Sequence, residues 1–248
     1  MQIGGSEKAQ VIVVVDNFPG VDERLIPRWG LSIYLETKNF ALLFDTGPNP
    51  NILAHNMDIL NIDVNKIQCI VISHSHGDHT GGLSFLAKVR PRIPVYIPPN
   101  LSLKRFVEKL NLIPVIVNKP TVIDEGIIVI NANSNYIWEQ FLLVNVSNLG
   151  SIILVGCSHP GIEKIVRKAH QITQSNIYAI IGGLHTAGIG DIGRIIASFN
   201  KYNISAVFPI HCSGNDVRYV LNQRIGNRYK DGHVGMRVAF SSSGIKIL

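Results

Sequence analysis

The sequence predicts an α/β protein of two similar halves, two sheets face to face with helices on their outer sides. Three observations lead there. Short β-branched runs alternate with helical stripes that are apolar on one face only. The early runs are joined by tight turns, which excludes a purely parallel, doubly wound sheet. The stretches Leu31–Gly47 and Leu142–Pro160 each read hairpin, buried strand, polar loop, an internal echo.

In chain order, strands are expected at Val11–Val15, Leu31–Glu36, Phe40–Asp45, Cys69–Ser73, Pro94–Ile97, Pro114–Val117, Gly126–Ile130, Ser151–Val155, Ile177–Ile181 and Ala206–Ile210, with Lys38-Asn39 as the first tight turn. Helices are expected where Leu103, Phe106, Val107 and Leu110 recur at i, i+3, i+4, i+7. The same spacing holds for Ile162, Ile165, Val166 and Ala169, and for Ile192, Ile195, Ile196 and Phe199. In the echoed stretches the buried strands Ala41–Phe44 and Ile152–Val155 run into Asp45-Thr46-Gly47 and Gly156-Cys157-Ser158-His159. Two facing sheets would bring both polar loops to one edge. No linker-like segment interrupts the chain, so residues 1–248 are expected to form a single domain.

Composition narrows the class. With 46% apolar and 16% charged residues in 248, the chain has the material for a core and is no disordered tail. Its three cysteines, Cys69, Cys157 and Cys212, are too few and too dispersed for a disulfide framework or a four-cysteine zinc knuckle. No apolar run nears the roughly 20 residues of a membrane helix, and the first residues lack a secretion-signal pattern. A cytoplasmic location away from the membrane is expected. The net charge of +6 is spread over short clusters (Lys88, Arg90, Arg92; Lys104, Arg105; Lys164, Arg167, Lys168) without interleaved aromatics. Such dispersal reads first as solvated helix faces, and as a small anionic substrate rather than nucleic acid if a partner is meant. The pattern is silent on oligomeric state.

The densest chemistry is His74-Ser75-His76-Gly77-Asp78-His79, directly after a buried strand. Four metal-compatible side chains in six residues suit divalent cations. Residues two apart in extended chain point the same way, so His74 and His76 can share one ion. Gly77 allows a sharp turn, after which Asp78 and His79 face a second ion. Two adjacent ions activate water and polarise a substrate oxygen. His159, in a Pro-Gly turn that opens a helix, is a further candidate ligand. Cys157 is either a thiolate ligand or a small packed hydrophobe. His185 reaches the same rim through Gly182-Gly183, as a ligand, an acid–base or substrate-binding group, or a turn histidine. Ser213 and Gly214 can offer a hydroxyl and an N–H to an anion, and Cys212 is assigned to packing. His55, His170 and His233 are given surface or capping roles. Asp45-Thr46-Gly47 resembles an aspartic-protease motif, but no second such motif supplies the partner carboxylate.

At HSHGDH the chain resembles the metallo-β-lactamase superfamily, whose hallmark is HxHxDH after a strand. The resemblance implies a four-layer αββα sandwich of two similar halves and a pair of divalent ions, zinc first, with iron and manganese as alternatives. It extends from about Val15 to Gly235. WGLSIYLE (Trp29–Glu36), ALLFDTG (Ala41–Gly47), HSHGDHTGGL (His74–Leu83), VGCSHPGI (Val155–Ile162), IIGGLH (Ile180–His185) and PIHCSG (Pro209–Gly214) are similar to one branch. That branch includes an archaeal synthase joining a dihydropterin to ribofuranosylaminobenzene phosphate in methanopterin biosynthesis, and bacterial metal-dependent hydrolases.

Carried over by position, the resemblance makes His74, His76, Asp78, His79, His159 and His211 metal ligands. His211 completes the second ion with Asp78 and His79. Asp45 becomes an acceptor that orients a ligating histidine, and Asp78 and His185 are the catalytic candidates. Three departures stand out. Gly156-Cys157 occupies a place where many relatives carry Gly-Asp with a bridging carboxylate. No histidine lies between Thr80 and Gly156, where the first ion usually finds its third imidazole, so either His159 or His185 takes that role or the first ion has an open side. Trp29 stands where the branch often has histidine. The implied activity is pterin-biosynthetic transfer, with phosphodiester, thioester or lactone hydrolysis as the alternative and nuclease activity as a lesser one.

Overall fold

In β1 (Lys8–Val15) both faces are apolar: Val11 and Val13 point to one side, Ile12 and Val14 to the other. A strand of that kind belongs between two packed layers. The structure is a computed structural model and describes residues 3–134, 136–185 and 189–248.

Hydrogen bonding continues from β1 to β2 (Ser32–Glu36) and β3 (Ala41–Phe44), both steps antiparallel. Helix α1 (Pro50–Ile59) crosses to β4 (Cys69–Val71), which lies parallel to β3. Two short helices, α2 (Gly77–Thr80) and α3 (Leu83–Val89), lead to β5 (Pro94–Ile97), and α4 (Leu101–Lys109) leads to β6 (Ile113–Ile116), again parallel.

The second sheet starts with antiparallel β7 (Thr121–Asp124), β8 (Ile127–Asn131), β9 (Gln140–Val146) and β10 (Gly150–Val155). Then α5 (Ile162–Thr173), β11 (Ile177–Gly182), α6 (Ile192–Lys201) and β12 (Ala206–Pro209) add parallel strands beyond β10. After α7 (Asn215–Ile225), the hairpin β13 (Arg237–Ser241) and β14 (Gly244–Ile247) returns to the first sheet and pairs with β1. Among the described residues the sheets have eight and six strands, in the orders β14-β13-β1-β2-β3-β4-β5-β6 and β12-β11-β10-β9-β8-β7.

Three buried clusters make this a four-layer sandwich. Between the sheets, Val11, Val13, Ile33 and Phe44 pack with Val129, Leu142, Leu154 and Phe208. Outside the first sheet, Ile12, Leu43 and Ile70 meet Leu53, Leu86 and Val107 from α1, α3 and α4. Outside the second, Ile128, Ile153 and Ile180 meet Ile165, Phe199 and Leu221 from α5, α6 and α7. The layers are therefore α, β, β, α.

Every expected strand is present, with bounds that shift by at most three residues. Helices α1, α3 and α7 and the hairpin β13–β14 were not among the expected elements. In α1 a buried asparagine, Asn56, interrupts the apolar stripe, because its amide donates to Val14 O and accepts from Ile26 N across the fold. In α7 Arg218 does the same, bonding Gly232 O.

The ends of strands position the site. Residues following β1, β3, β4, β10, β11 and β12, and the residue preceding β9, all reach one edge of the sandwich. Carboxyl ends of parallel strands are where open α/β sheets gather their ligands.

Candidate metal centre

Where β4 ends, Ser73 and His74 are fully buried, and the chain turns out at Ser75 before α2. His74 Nε2 lies 3.0 Å from His76 Nδ1, so the two imidazoles converge as their spacing implies. His159 joins them: the ligand atoms of His74, His76 and His159 lie within 4.8 Å of one another. A second triad is Asp78, His79 and His211, again within 4.8 Å. His74 and His79 ring centroids are 4.1 Å apart, which sets the two triads side by side.

His159 is thus the imidazole that stands with His74 and His76. His185 is exposed, belongs to none of the donor groups among the described residues, and stacks at the rim with its ring centroid 4.9 Å from that of His159. Its backbone N–H donates to Cys157 O at 2.9 Å. Trp29 is 55% exposed beside the second triad, its ring centroid 5.0 Å from His211.

Each triad has a buried carboxylate behind it. Asp45 Oδ2 is 2.7 Å from His79 Nδ1, and the same carboxylate accepts from Ser73 N and Ser73 Oγ, both at 2.6 Å. A donor bond at Nδ1 leaves the Nε2 lone pair of His79 for a cation. Glu139, which sequence reasoning did not single out, does the same for His159. Its Oε2 accepts from His159 N at 2.8 Å and contacts His159 Nδ1 at 2.9 Å. Its Oε1 accepts from Cys157 N at 3.1 Å and Ser158 N at 2.8 Å. A third acid, Asp16 at the end of β1, accepts from His211 N at 2.6 Å. None of the three is more than 1% exposed.

These bonds hold loops that are otherwise strained. Asp45, Ser158 and His211 all have positive φ, at 58°, 61° and 52°. Left-handed backbone costs about 1–2 kcal/mol for a residue with a Cβ. Charge-assisted acceptance by Glu139 and Asp16 offsets that cost. Ser158 is further pinned by its hydroxyl, which donates to Gly183 O at 2.6 Å. Gly156 is required where the two sheets meet: a Cβ there would lie 2.2 Å from Ser73 Oγ. The Ser213 hydroxyl donates to Ile210 O at 2.7 Å and accepts from Leu184 N at 3.2 Å, so it serves the loop rather than an anion.

Protonation follows burial and neighbours. Burial, then the nearby imidazoles of His79 and His159, hold His74 well below the ordinary histidine range; His76 is lowered by burial and His159. Neutral imidazole is the form that binds metal. Burial opposes ionisation of Asp78, but the imidazoles of His211 and His79 outweigh it and keep the carboxyl below its usual range. For His79, burial opposes the proton and Asp45 restores it, raising the group overall. Burial pushes the Asp16 carboxyl up to about 6. His185 is raised, first by its hydrogen bond to Cys212.

The residues fit a pair of divalent cations. His211 is 1% exposed, yet neither ring nitrogen has a hydrogen-bond partner among the described residues. Its Nε2 stands 3.4 Å from Asp78 Oδ2 without hydrogen-bond geometry. A buried imidazole nitrogen left without a partner beside a carboxylate is costly unless a cation takes its lone pair.

Comparison with known proteins agrees with this arrangement. The metallo-beta-lactamase superfamily profile matches residues 27–132, which hold the HSHGDH segment and the Asp45 turn. Over those residues the chain is similar to the metallo-β-lactamase superfamily. Over 97% of its length, the chain is 26% identical to 7,8-dihydropterin-6-methyl-4-(beta-D-ribofuranosyl)-aminobenzene-5'-phosphate synthase of Methanocaldococcus jannaschii, covering 99% of that protein. Its fold is similar to that of a metal-dependent hydrolase of the beta-lactamase superfamily, with a TM-score of 0.77 at 21% identity over 92% of this chain and 98% of that one. A diphosphatase from the PhnP family shares the fold at a TM-score of 0.67 and 14% identity, over 97% and 99% of the two chains.

Proposed function

We propose that this chain is a binuclear-metal enzyme acting on a small molecule that carries phosphate or diphosphate. Specifically, it would condense a dihydropterin methyl diphosphate with ribofuranosylaminobenzene phosphate. The observation that carries the reading is the end-to-end similarity to the Methanocaldococcus jannaschii synthase, joined to two adjacent donor triads at the site. When bound, two divalent ions, zinc in this reading, supply Lewis acidity for an anionic oxygen of the substrate.

The chain's own residues do the rest. Asp45 and Glu139 lock the tautomers of His79 and His159. His185, exposed at the rim, can pass a proton to or from the reacting groups. In the condensation, an aromatic carbon or nitrogen of the benzene substrate forms a bond to the pterin methylene. The methylene–oxygen bond breaks, diphosphate leaves with the electron pair, and the nucleophile gives up one proton. The positive balance of the chain, +6, suits two anionic substrates and no nucleic acid.

The test is mass spectrometry of the metal-loaded protein with both substrates. Coupled product with one diphosphate released per turnover supports the reading. No coupling with zinc, iron or manganese refutes it, and hydrolysis of phosphodiesters, thioesters or lactones becomes the reading, since the same donor set is suited to activating water.

A further inference from the structure

The two donor triads leave two sulfur atoms of the site unused. Cys157 is 4% exposed, and its Sγ lies 3.4 Å from His79 Nε2. The sulfur falls within 4.8 Å of ligand atoms of both His74 and His79, one from each triad. Cys157 also forms a separate group with His211 and Cys212, their three ligand atoms again within 4.8 Å of one another.

Cys212 is held in that position. Its thiol donates to Cys157 O at 3.8 Å. Gly183 leaves the space that the sulfur fills, since a Cβ there would stand 2.4 Å from Cys212 Sγ. His211, common to this group and to the Asp78–His79 triad, is the buried side chain whose two ring nitrogens have no partner.

We propose that Cys157, His211 and Cys212 form a thiolate-rich cation seat contiguous with the second metal position. This inference rests on the binuclear reading above and adds the chemical class of the ion. Carboxylate and imidazole alone accept manganese or magnesium as well as zinc, whereas thiolates select thiophilic ions. Cys157 Sγ, within 4.8 Å of ligand atoms from both triads, would be within reach of either ion. Cys212 would add a second soft donor beside His211, which the two groups share. The second position therefore binds zinc, cobalt(II) or iron(II) in preference to manganese(II) and magnesium.

The full-length apoprotein titrated with cobalt(II) tests this directly, read by the near-ultraviolet thiolate-to-cobalt band and by ions bound per chain. Two ions per chain with a thiolate band are expected. Cys157→Ser and Cys212→Ser should each weaken the band by about half, and the second ion should lose about 10-fold or more in affinity, as loss of a metal-site partner typically causes. X-ray absorption of the wild-type zinc protein needs no variant and should show sulfur at about 2.3 Å. Two bound ions with no sulfur signal would overturn the thiolate seat while leaving the proposed enzyme standing. A band indifferent to Cys212→Ser would overturn it equally. Sulfur ligation without turnover on any phosphate substrate would instead refute the proposed function and leave the seat intact.

Discussion

Replacing Glu139 by glutamine changes one atom and forces a choice between two pairs of donors. The carboxylate accepts on Oε1 from Cys157 N and Ser158 N, and on Oε2 from His159 N, with His159 Nδ1 also at 2.9 Å. An amide keeps one acceptor oxygen and turns an NH₂ toward the other pair. Facing Cys157 and Ser158, it orphans two buried N–H groups at about 1–3 kcal/mol each. Facing His159, it orphans one backbone N–H, because the imidazole can move its proton to Nε2 and accept at Nδ1. The second orientation is cheaper, so the apoprotein should lose about 1–3 kcal/mol. At roughly 2–4 °C per kcal/mol for a chain of this size, the melting midpoint should fall by about 2–12 °C.

The same tautomer change removes the Nε2 lone pair that the first ion needs. Affinity there should drop about 10- to 100-fold, the usual effect of losing an orienting partner. The second ion, on Asp78, His79 and His211, should be nearly unaffected. Competition with a coloured chelator would resolve the two affinities, and scanning calorimetry the stability. Wild-type affinity for both ions in Glu139→Gln would refute the role assigned to this carboxylate.

Asp78→Ala and His211→Ala should each reduce bound metal from two ions to one per chain and abolish most turnover; plasma mass spectrometry of the purified variants checks this. His159→Ala should lose the first ion, while His185→Ala should keep both and lower kcat, a contrast that separates ligand from rim group. Burial pushes the Cys69 thiol up to about 12 from 9.0, away from the site. Between those values the folded chain holds a proton that the unfolded chain has lost, so stability falls as pH rises through about 9 to 12. The span of 3 units sets an upper bound of about 4 kcal/mol. Denaturant titrations should show a shallower decline for Cys69→Ala over that range, and the wild-type thiol should resist alkylation at pH 8 until the protein unfolds.

The sandwich was legible because its signals are local. Val11–Val15 and Ile152–Val155 announce strands, and the stripes in α5 and α6 have clean helical spacing. HSHGDH packs four donors into six residues, so a metal pair could be read from it alone. Glu139 and Asp16 could not be read this way. Each is a lone acid beside a strand, and its partners are 18 to 20 residues away for Glu139 and 195 for Asp16. Only the fold brings them together. One signal for Glu139 was available: the echo between halves pairs the Asp45 turn with the Cys157 turn, so an acid serving the second turn could have been sought. Choosing between His159 and His185 likewise required the third dimension, because both end strands at the same rim.

The long span from Asp16 to His211 has a consequence for how the centre comes into being. A chain emerging from the ribosome presents His74 and His76 early, but His159 comes more than eighty residues later, and His211 some fifty beyond that. The backbone of His211 is held by an acid on β1, and β1 is in turn paired with β13, near the end of the sequence. Early metal capture by the nascent chain would thus engage only the four donors of the HSHGDH segment, without His159 or His211. The centre is a late product of synthesis, completed when the last strands close over the first. Slow translation or truncation before β13 would leave a partial chelate exposed, open to the wrong ion. Withholding full affinity until the fold closes keeps the choice of metal with the finished protein.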